Sequence, residues 1–239
     1  MGLRAVLFDI DDTLFSTTQF AKVARKNAVR AMVETGLDLP EDVVLKELEE
    51  VLTEFTSNYD HHFDQLLRRL RPKALESVNP ALIVAAGIAA YHDTKFRELK
   101  PFDDVIPLLQ ALHAAGVITG IITHGWTIKQ AEKIVRLGLV PHLDRRAVFI
   151  SDQLGISKPN PKIYALALRD LGLQAAQAMY VGDSPSHDIT PPKSLGMKAV
   201  WAKRASRFQP GPADATPDHV VQDFVELRGI LRERYELGV

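Results

Sequence analysis

The sequence predicts an α/β fold, a doubly wound, Rossmann-like parallel sheet with an inserted all-helical cap domain. Short, almost wholly apolar runs recur along the chain, as expected for strands covered by helices on both faces. Segments with helical periodicity separate most of these runs, and this alternation is typical of parallel sheets with right-handed crossovers. One long block early in the chain contains helical patterns and no convincing strand, which indicates an insertion.

Five apolar runs are the predicted strands of the core. The clearest are rich in Val, Ile or Leu and lack polar alternation, the pattern of a strand buried on both faces. They cover residues 5–10, 117–123, 147–150, 178–181 and 199–201.

Helices are predicted between and after these strands. Apolar residues recur at helical spacing in residues 103–116, 128–138 and 161–172, and each segment closes on a glycine, a common helix terminator. Residues 209–217, rich in Pro and Ala, are predicted to form a surface loop before a final amphipathic helix at 221–234.

The inserted block is predicted to be a small domain of its own. Four helices are expected in it, at residues 20–35, 41–56, 61–70 and 80–99, with breakers near 36–40, 57–58 and 71–72. Connections inside compact α/β units are usually about 2–6 residues long, so this block is too long to be a simple loop. The predicted domains are an α/β core, residues 1–15 and 100–239, and a helical cap, residues 16–99.

Composition and charge limit the classes of function. The 239 residues include 29 Lys and Arg against 30 Asp and Glu, a formal net charge of -1. No basic excess indicates a nucleic acid or a membrane surface as partner. The chain has no cysteine, which excludes disulfides, thiolate metal sites and cysteine nucleophiles. No signal peptide or membrane span is recognisable, so a cytoplasmic location is expected; a homodimer is left open.

An acidic cluster follows the first predicted strand. Alternation in an extended chain would send Asp9 and Asp11 to the same side. The carboxyl end of a strand in a parallel sheet is where ligands of open α/β folds bind. Like charges this close are destabilising unless a cation lies between them or one is protonated. Asp12 and Thr13 have a simpler interpretation as a turn or helix cap.

A second acidic group follows the fourth predicted strand. The segment VGDSPSHD places Asp183 and Asp188 at a strand's carboxyl end as well. Four carboxylates converging on one rim would form a site of hard oxygen ligands suited to Mg²⁺. The sequence therefore predicts Mg²⁺ as cofactor, with Asp9, Asp11, Asp183 and Asp188 as candidate ligands.

Two further segments supply groups that bind phosphate. The second strand ends in Thr123-His124-Gly125, which offers a hydroxyl and backbone N–H groups near a helix N-terminus. Lys158 lies in the segment SKPNP, whose prolines stiffen the loop and hold the ammonium in place. Thr123, His124 and Lys158 are the candidate phosphate-binding residues.

The four segments DIDDTL, IITHG, SKPNPKIY and VGDSPSHD, in this order, resemble the four motifs of the haloacid dehalogenase-like superfamily. The helical insert resembles the cap of the subfamily whose cap lies between motifs one and two. The resemblance covers nearly the whole chain. No single motif is decisive, but four in order at strand ends are highly specific.

The resemblance implies roles for the acidic residues. Asp9 would attack phosphorus as nucleophile and form an aspartyl-phosphate. Asp11 would protonate the leaving alcohol and then activate the water that cleaves the intermediate. Mg²⁺ would be held by the carboxylates of Asp9 and Asp183 and by the backbone carbonyl of Asp11. Asp188 would bind the ion directly or through water.

The resemblance also implies the reaction. Thr123 and Lys158 would hold the phosphoryl oxygens, and Lys158 would also neutralise the charge of Asp9 and the phosphate. The expected activity is Mg²⁺-dependent hydrolysis of small phosphomonoesters. Dehalogenases of the superfamily use the same nucleophile on carbon, lack the second acidic residue and need no metal, so Asp11 argues for phosphate.

The chain departs from the family pattern at two places. After Thr123 the family more often has Asn or Asp, whereas this chain has His124, which either contacts substrate or is a polar loop residue. Residues 189–192, Ile-Thr-Pro-Pro, stand where relatives usually have a Gly-Ala pair that opens a helix. Pro is accepted in the first turn of a helix, so a locally altered loop that retains both aspartates is expected.

Other polar groups have simpler interpretations. Adjacent histidines project in different directions on a helix, so His61, His62 and Asp64 favour cap surface or substrate contact over a metal site. A basic patch on the insert is interpreted as a solvated face unless it overhangs the site; it consists of Arg68, Arg69 and Arg71. Four residues near the predicted rim of the site receive no assigned role: Trp126, Lys203, Arg204 and Arg207.

Three alternatives to a phosphatase stay open. A phosphomutase would share every motif and return the phosphate to a sugar. A 2-haloacid dehalogenase would act in the presence of a chelator. A non-catalytic protein that binds phosphorylated ligands would keep the fold but would have no use for a nucleophile.

Overall fold

The computed structural model describes residues 2–55, 59–70 and 78–239. The chain divides into two units, one formed by Met1–Thr17 with Lys100–Val239 and the other by Thr18–Leu99. The first unit contains the sheet, and the second is helical. The described part of the chain contains no helix with the length and hydrophobicity that crossing a membrane requires.

The sheet of the first unit has six strands, all parallel, in the order β3-β2-β1-β4-β5-β6. The strands are β1 Ala5–Phe8, β2 Ile118–Thr123, β3 Val148–Ile150, β4 Ala178–Gly182, β5 Lys198–Ala202 and β6 His219–Val221. The chain builds outward from β1 in both directions, which is the doubly wound arrangement and confirms the predicted fold class. Every residue of β1 and β4 is buried, as their unbroken apolar runs require.

The sixth strand corrects the sequence analysis, which assigned Val221 to the final helix. That helix begins only at Phe224, because Asp223 caps it and accepts a hydrogen bond from the Glu226 backbone N–H at 2.8 Å. Residues 219–221 pair with β5 instead. Only Val221 of this strand is buried, so the strand lacks the continuous apolar run that marks the inner strands.

Six helices belong to this unit. They are α5 Val105–Ala114, α6 Thr127–Arg136, α7 Ser151–Leu154, α8 Lys162–Leu171, α9 Thr190–Ser194 and α10 Phe224–Tyr235. The glycines predicted to end three of the helical segments, Gly116, Gly138 and Gly172, have φ values of 71°, 68° and 64°. This left-handed conformation is the one that stops a helix, so these ends are confirmed.

The core beneath the functional loops contains two tyrosines. Tyr164 of α8 and Tyr180 of β4 are completely buried, and their rings meet edge to face with centroids 4.9 Å apart. The Tyr180 hydroxyl donates to the Ile122 carbonyl at 2.6 Å, and that of Tyr164 donates to the His187 carbonyl at 2.6 Å. These bonds tie the core to β2 and to the loop after β4, the two places where site residues are expected.

The described part of the second unit contains four helices. They are α1 Thr17–Glu34, α2 Glu41–Phe55, α3 His62–Leu70 and α4 Pro80–Glu98. Its apolar core includes Met32, Leu48 and Ile83, and a partly buried hydrogen bond joins Asn27 to Thr94 at 2.9 Å. Four helices are found where four were predicted, and the expected breakers at 57–58 and 71–72 lie outside the described residues. The role of this unit as a cap stays a prediction.

Candidate active site

Three buried aspartates meet at the carboxyl ends of the two central strands. Asp9 follows β1 and Asp183 follows β4, and the Asp9 backbone N–H donates to the Val181 carbonyl at 2.9 Å, which continues the pairing of these strands. Asp188 lies in the next turn. One carboxylate oxygen from each aspartate lies within 4.8 Å of the others.

Gly182 allows the third aspartate to come this close. A Cβ atom at position 182 would lie 2.4 Å from Cβ and Cγ of Asp188, so no other residue fits without displacing the aspartate. The Asp188 carboxylate also accepts a hydrogen bond from the Ser184 backbone N–H at 3.0 Å. The close packing of the last residue of β4 therefore sets the position of Asp188.

The turn that carries Asp188 is an irregular helical segment. Residues Pro185–Ile189 form one π-helical turn, and α9 follows with Pro191 and Pro192 in its first turn. Single π turns are frequent at functional sites. The segment with the two prolines thus begins a short helix, and Asp183 and Asp188 both lie in the buried cluster before it.

Lys158 is the counter-charge of the cluster. Its Nζ lies 2.6 Å from Oδ1 of Asp9, 2.7 Å from Oδ1 of Asp188 and 3.2 Å from the Tyr180 hydroxyl. An ammonium has three hydrogens to donate, so all are engaged. The Lys158 side chain is only 4% exposed, which makes these interactions strong because little water screens them.

Burial and mutual repulsion raise the pKa values of two aspartates in the cluster. Burial, with the nearby charges of Asp188 and Asp11, raises the pKa of Asp9 to about 7 against the opposing effect of Lys158. Burial, Asp188 and Asp9 raise the pKa of Asp183 to about 8. Burial alone would lower the pKa of Lys158, but the two carboxylates that it contacts hold this pKa well above its usual value. One ammonium therefore does not balance three buried carboxylates.

This imbalance fits a divalent cation. Asp9, Asp183 and Asp188 offer only carboxylate oxygens, the ligands that Mg²⁺ prefers in proteins. Raised carboxyl pKa values indicate acids that lack enough positive charge nearby. The residues thus fit the predicted cofactor by donor type, burial and charge.

Asp11 lies outside this trio, contrary to the expectation that four carboxylates converge. The strand ends at Phe8, and the chain turns at Asp12, whose φ is 54°, so the strand alternation does not continue to Asp11. The Asp11 carboxylate contacts Lys133 of α6 instead, at 2.7 Å from Nζ to each oxygen. Its charge still contributes to the raised pKa of Asp9.

The three candidate phosphate-binding residues differ in exposure. Thr123 ends β2 and is completely buried, and its hydroxyl has no hydrogen-bond partner among residues 2–55, 59–70 and 78–239. A buried hydroxyl without a partner is costly, and an oxygen of a bound ligand would satisfy it.

His124 is exposed, with Nδ1 2.5 Å from the Ser157 hydroxyl. Partial desolvation of the imidazole and the charges of Lys158 and His187 lower the pKa of His124.

Sequence reasoning missed Gln130 and Lys133. They are three residues apart in α6 and therefore share one face of the helix. The Gln130 amide donates to the His124 carbonyl at 2.6 Å and to Asp11 at 3.2 Å. The spacing was visible in the sequence, but a polar helix face is usually solvated and did not single them out.

The residues near the predicted rim have structural contacts. Arg204 forms an ion pair with Asp104 and lies over the ring of Phe102 at 4.4 Å. Lys203 lies over the ring of Trp201, and Arg207 approaches Asp12 at 3.6 Å. Trp126 is half-exposed, with the Lys129 ammonium 4.3 Å from its ring centre.

In the helical unit, the two adjacent histidines make local side-chain contacts. His61 lies 3.4 Å from Asp64 and His62 stacks edge to face on Tyr59. Within the described ranges, the group of potential metal ligands is the aspartate trio, and the histidines are not part of it. Arg69 pairs with Glu47 and Glu54, Arg68 is exposed, and Arg71 lies outside the described residues.

Comparisons with known proteins identify the family of this chain. A family model described as haloacid dehalogenase-like hydrolase matches residues 3–196. The glyceraldehyde 3-phosphate phosphatase of Methanopyrus kandleri is 43% identical over 97% of this chain and 98% of its own. The protein of the same name from Pyrococcus furiosus is 44% identical over 84% of this chain and 81% of its own. A crystal structure of an HAD phosphatase from Thermococcus onnurineus superposes with a TM-score of 0.64 at 25% identity, covering 96% of this chain and 98% of that one.

The chain belongs to the haloacid dehalogenase-like hydrolases. Within that family it is a phosphatase, a hydrolase of phosphate esters. The resemblance drawn from four short motifs is thereby confirmed.

Proposed function

We propose that this phosphatase hydrolyses small phosphomonoesters through an aspartyl-phosphate on Asp9, with Mg²⁺ as cofactor. The observation that carries the proposal is the buried contact of Lys158 with both Asp9 and Asp188, beside Asp183. A nucleophilic carboxylate meets a phosphate dianion only where positive charge offsets their repulsion. The contact supplies part of that charge at the nucleophile itself.

Asp9 and Lys158 perform the first half of the reaction. An oxygen of the Asp9 carboxylate attacks phosphorus, the bond from phosphorus to the alcohol oxygen breaks, and Asp11 gives its proton to the departing alcohol. Lys158 neutralises charge at the attacking carboxylate, and the Thr123 hydroxyl donates to a phosphoryl oxygen. Mg²⁺, held by Asp9 and Asp183 and reached by Asp188, would add the positive charge that one lysine does not supply.

Water completes the reaction in the second half. Asp11, now a carboxylate, takes a proton from water as its oxygen attacks phosphorus. The bond from phosphorus to Asp9 breaks, phosphate leaves and both aspartates return to their starting state. The Mg²⁺ contact of the Asp11 carbonyl belongs to the same proposal and is supported by the family pattern. The phosphate contact of His124 is proposed as well, because His124 follows Thr123 directly and its Nδ1 lies 2.5 Å from the hydroxyl of Ser157, the neighbour of Lys158.

Triose phosphates are the proposed substrates. Relatives at 43% and 44% identity are named as phosphatases of glyceraldehyde 3-phosphate, and the first of these matches extends over 97% of this chain, including the helical unit. In this proposal the unit Thr18–Leu99 selects the substrate as a cap. The protein acts in the cytoplasm on small molecules and not on nucleic acid or membranes, and a homodimer is compatible with this activity.

Measurement of phosphate release from glyceraldehyde 3-phosphate, related sugar phosphates and p-nitrophenyl phosphate tests the proposal. We expect turnover of the triose phosphate with Mg²⁺ and a fall of at least about a hundredfold with a chelator, because the remaining ammonium neutralises too little charge. Phosphate returned to the sugar would indicate a mutase instead. Full activity with a chelator on a 2-haloacid would indicate a dehalogenase.

Mg²⁺ should stabilise the protein more at pH 8.5 than at pH 6. The pKa values of Asp9 and Asp183 are raised to about 7 and about 8 in the folded state. The folded protein therefore favours the protonated form of these carboxyls. Their contribution to the free energy of unfolding is complete below about pH 4, the pKa of an Asp in the unfolded chain, and is lost as the pH rises through the pKa values of the folded state. At pH 6 the ion must displace protons, whereas at pH 8.5 it binds carboxylates that are already ionised and mutually repulsive.

The Tm measured with and without Mg²⁺ at the two pH values gives the answer. An Asp183→Asn variant should lose most of the increase at pH 8.5, while Asp170→Asn, an exposed substitution of the same chemistry, should keep it. An increase in Tm of the same size at both pH values would contradict the role of these carboxyls in binding the ion.

A further inference from the structure

Lys133 is the cation that faces Asp11. Its Nζ lies 2.7 Å from both carboxylate oxygens, and the Lys133 and Asp11 side chains are only 20% and 31% exposed. A lysine on an amphipathic helix is normally solvated, and an exposed ion pair contributes little. Here the ammonium is engaged by both oxygens of one carboxylate beside the proposed nucleophile.

Two more donors complete the surroundings of Asp11. The Thr17 hydroxyl donates to Oδ1 at 3.0 Å, and the Gln130 amide donates to Oδ2 at 3.2 Å. A carboxylate has about four sites at which it accepts hydrogen bonds, and these contacts, with the two from Lys133, occupy all of them. These contacts thereby restrain rotation of the carboxylate about the Cα–Cβ and Cβ–Cγ bonds of Asp11.

The same helix face also holds the loop that follows β2. Gln130 is buried and donates to the His124 carbonyl at 2.6 Å, next to Thr123. Gly125 makes room for this contact, because a Cβ there would lie 2.5 Å from the Gln130 amide nitrogen. One face of α6 therefore links the position of Asp11 to the position of the candidate phosphate loop.

We propose that Lys133 is a positioning residue for the second half of the reaction, the hydrolysis of the aspartyl-phosphate; this inference rests on the proposed function. Lys133 holds the Asp11 carboxylate in the orientation from which it takes the proton of the attacking water. The water oxygen bonds to phosphorus, the phosphorus–oxygen bond to Asp9 breaks, and the electron pair returns to Asp9. The contact of Gln130 is the longest of the four, so it is the one that the water can replace without releasing Lys133.

Steady-state and rapid-mixing kinetics of Lys133→Met with p-nitrophenyl phosphate and Mg²⁺ test this role. We expect kcat to fall about 10–100-fold, since a well-placed general base contributes about 10²–10⁴-fold. We expect kcat/KM to stay within about threefold, because it reports only the steps up to the loss of nitrophenolate, a good leaving group that departs without a proton from Asp11. A burst of about one nitrophenolate per active site should appear, and kcat should become the same for every substrate, since all share the aspartyl-phosphate.

Matched variants separate positioning from a general effect of charge. Lys133→Arg, which can bind both oxygens of a carboxylate, should recover kcat to within a few-fold of the wild type. Lys129→Met removes the same charge from the same helix, where the ammonium lies over the Trp126 ring, and should leave both kinetic parameters unchanged. Lys133→Gln serves as a second variant if circular dichroism shows that Lys133→Met does not fold.

The outcomes are distinguishable. An unchanged kcat in Lys133→Met, or a loss of kcat/KM without a burst, overturns the positioning role while the proposed function stands. A wild-type protein that releases no phosphate, or an active Asp9→Asn variant, overturns the proposed function and this inference together.

Discussion

Replacement of Asp9 by Asn should abolish phosphate release while the protein stays folded. The amide has the same shape as the carboxyl but is too weak a nucleophile to attack phosphorus, so we expect kcat to fall by roughly a thousandfold or more. The free energy of unfolding should change by only about 1–2 kcal/mol. Burial and acidic neighbours already raise the pKa of Asp9 to about 7, and Lys158 keeps its contact with Asp188 at 2.7 Å.

Malachite green detection of phosphate and thermal unfolding measure the two quantities on the same sample. Asp170→Asn is the matched control, because that side chain is exposed and pairs only with its neighbour Arg169 in the described structure. Activity of Asp9→Asn within tenfold of the wild type would show that another group attacks phosphorus. Complete unfolding of the variant would show instead that the charge of Asp9 is needed for the fold.

Replacement of Lys158 by Met should remove activity and also destabilise the fold by about 3–5 kcal/mol. Asp9 and Asp188 would then be buried without the ammonium that now lies 2.6 Å and 2.7 Å from their oxygens. The pKa of Asp9 would rise further, since Lys158 at present opposes the rise. The loss of stability should therefore be larger at pH 8 than at pH 5, where the carboxyl can take up a proton.

Urea unfolding at the two pH values, with and without Mg²⁺, checks this prediction. We expect Mg²⁺ to restore part of the stability at pH 8, because it replaces some of the missing positive charge. Lys162→Met, a substitution at an exposed position at the start of α8, should change stability by less than about 0.5 kcal/mol. A destabilisation of Lys158→Met that is independent of pH would indicate a loss of packing and not of charge.

The sequence by itself was sufficient for the fold class and for the segments that carry the site. The information for these is local. An unbroken apolar run such as residues 178–181 predicts a buried strand, and Gly172 predicts the end of a helix. Polar residues directly after the strands predict the edge of the sheet at which a ligand binds. Asp9 and Asp183 could be predicted as neighbours because parallel strands end at the same edge of a sheet.

Only the tertiary structure decided which charges face each other. Lys133 meets Asp11 across 122 positions of the chain, a pairing that nothing in the sequence indicated. The contact of Lys158 with Asp9, across 149 positions, was implied only by the family resemblance. The alternation of a strand predicted Asp9 and Asp11 on one side, but the strand ends at Phe8, and the Asp11 carboxylate contacts Lys133 of α6. Such a pairing depends on the path of the backbone after the strand and on the helix face that packs beside it. Neither of these produces a periodic pattern in the sequence, so neither could be predicted from it.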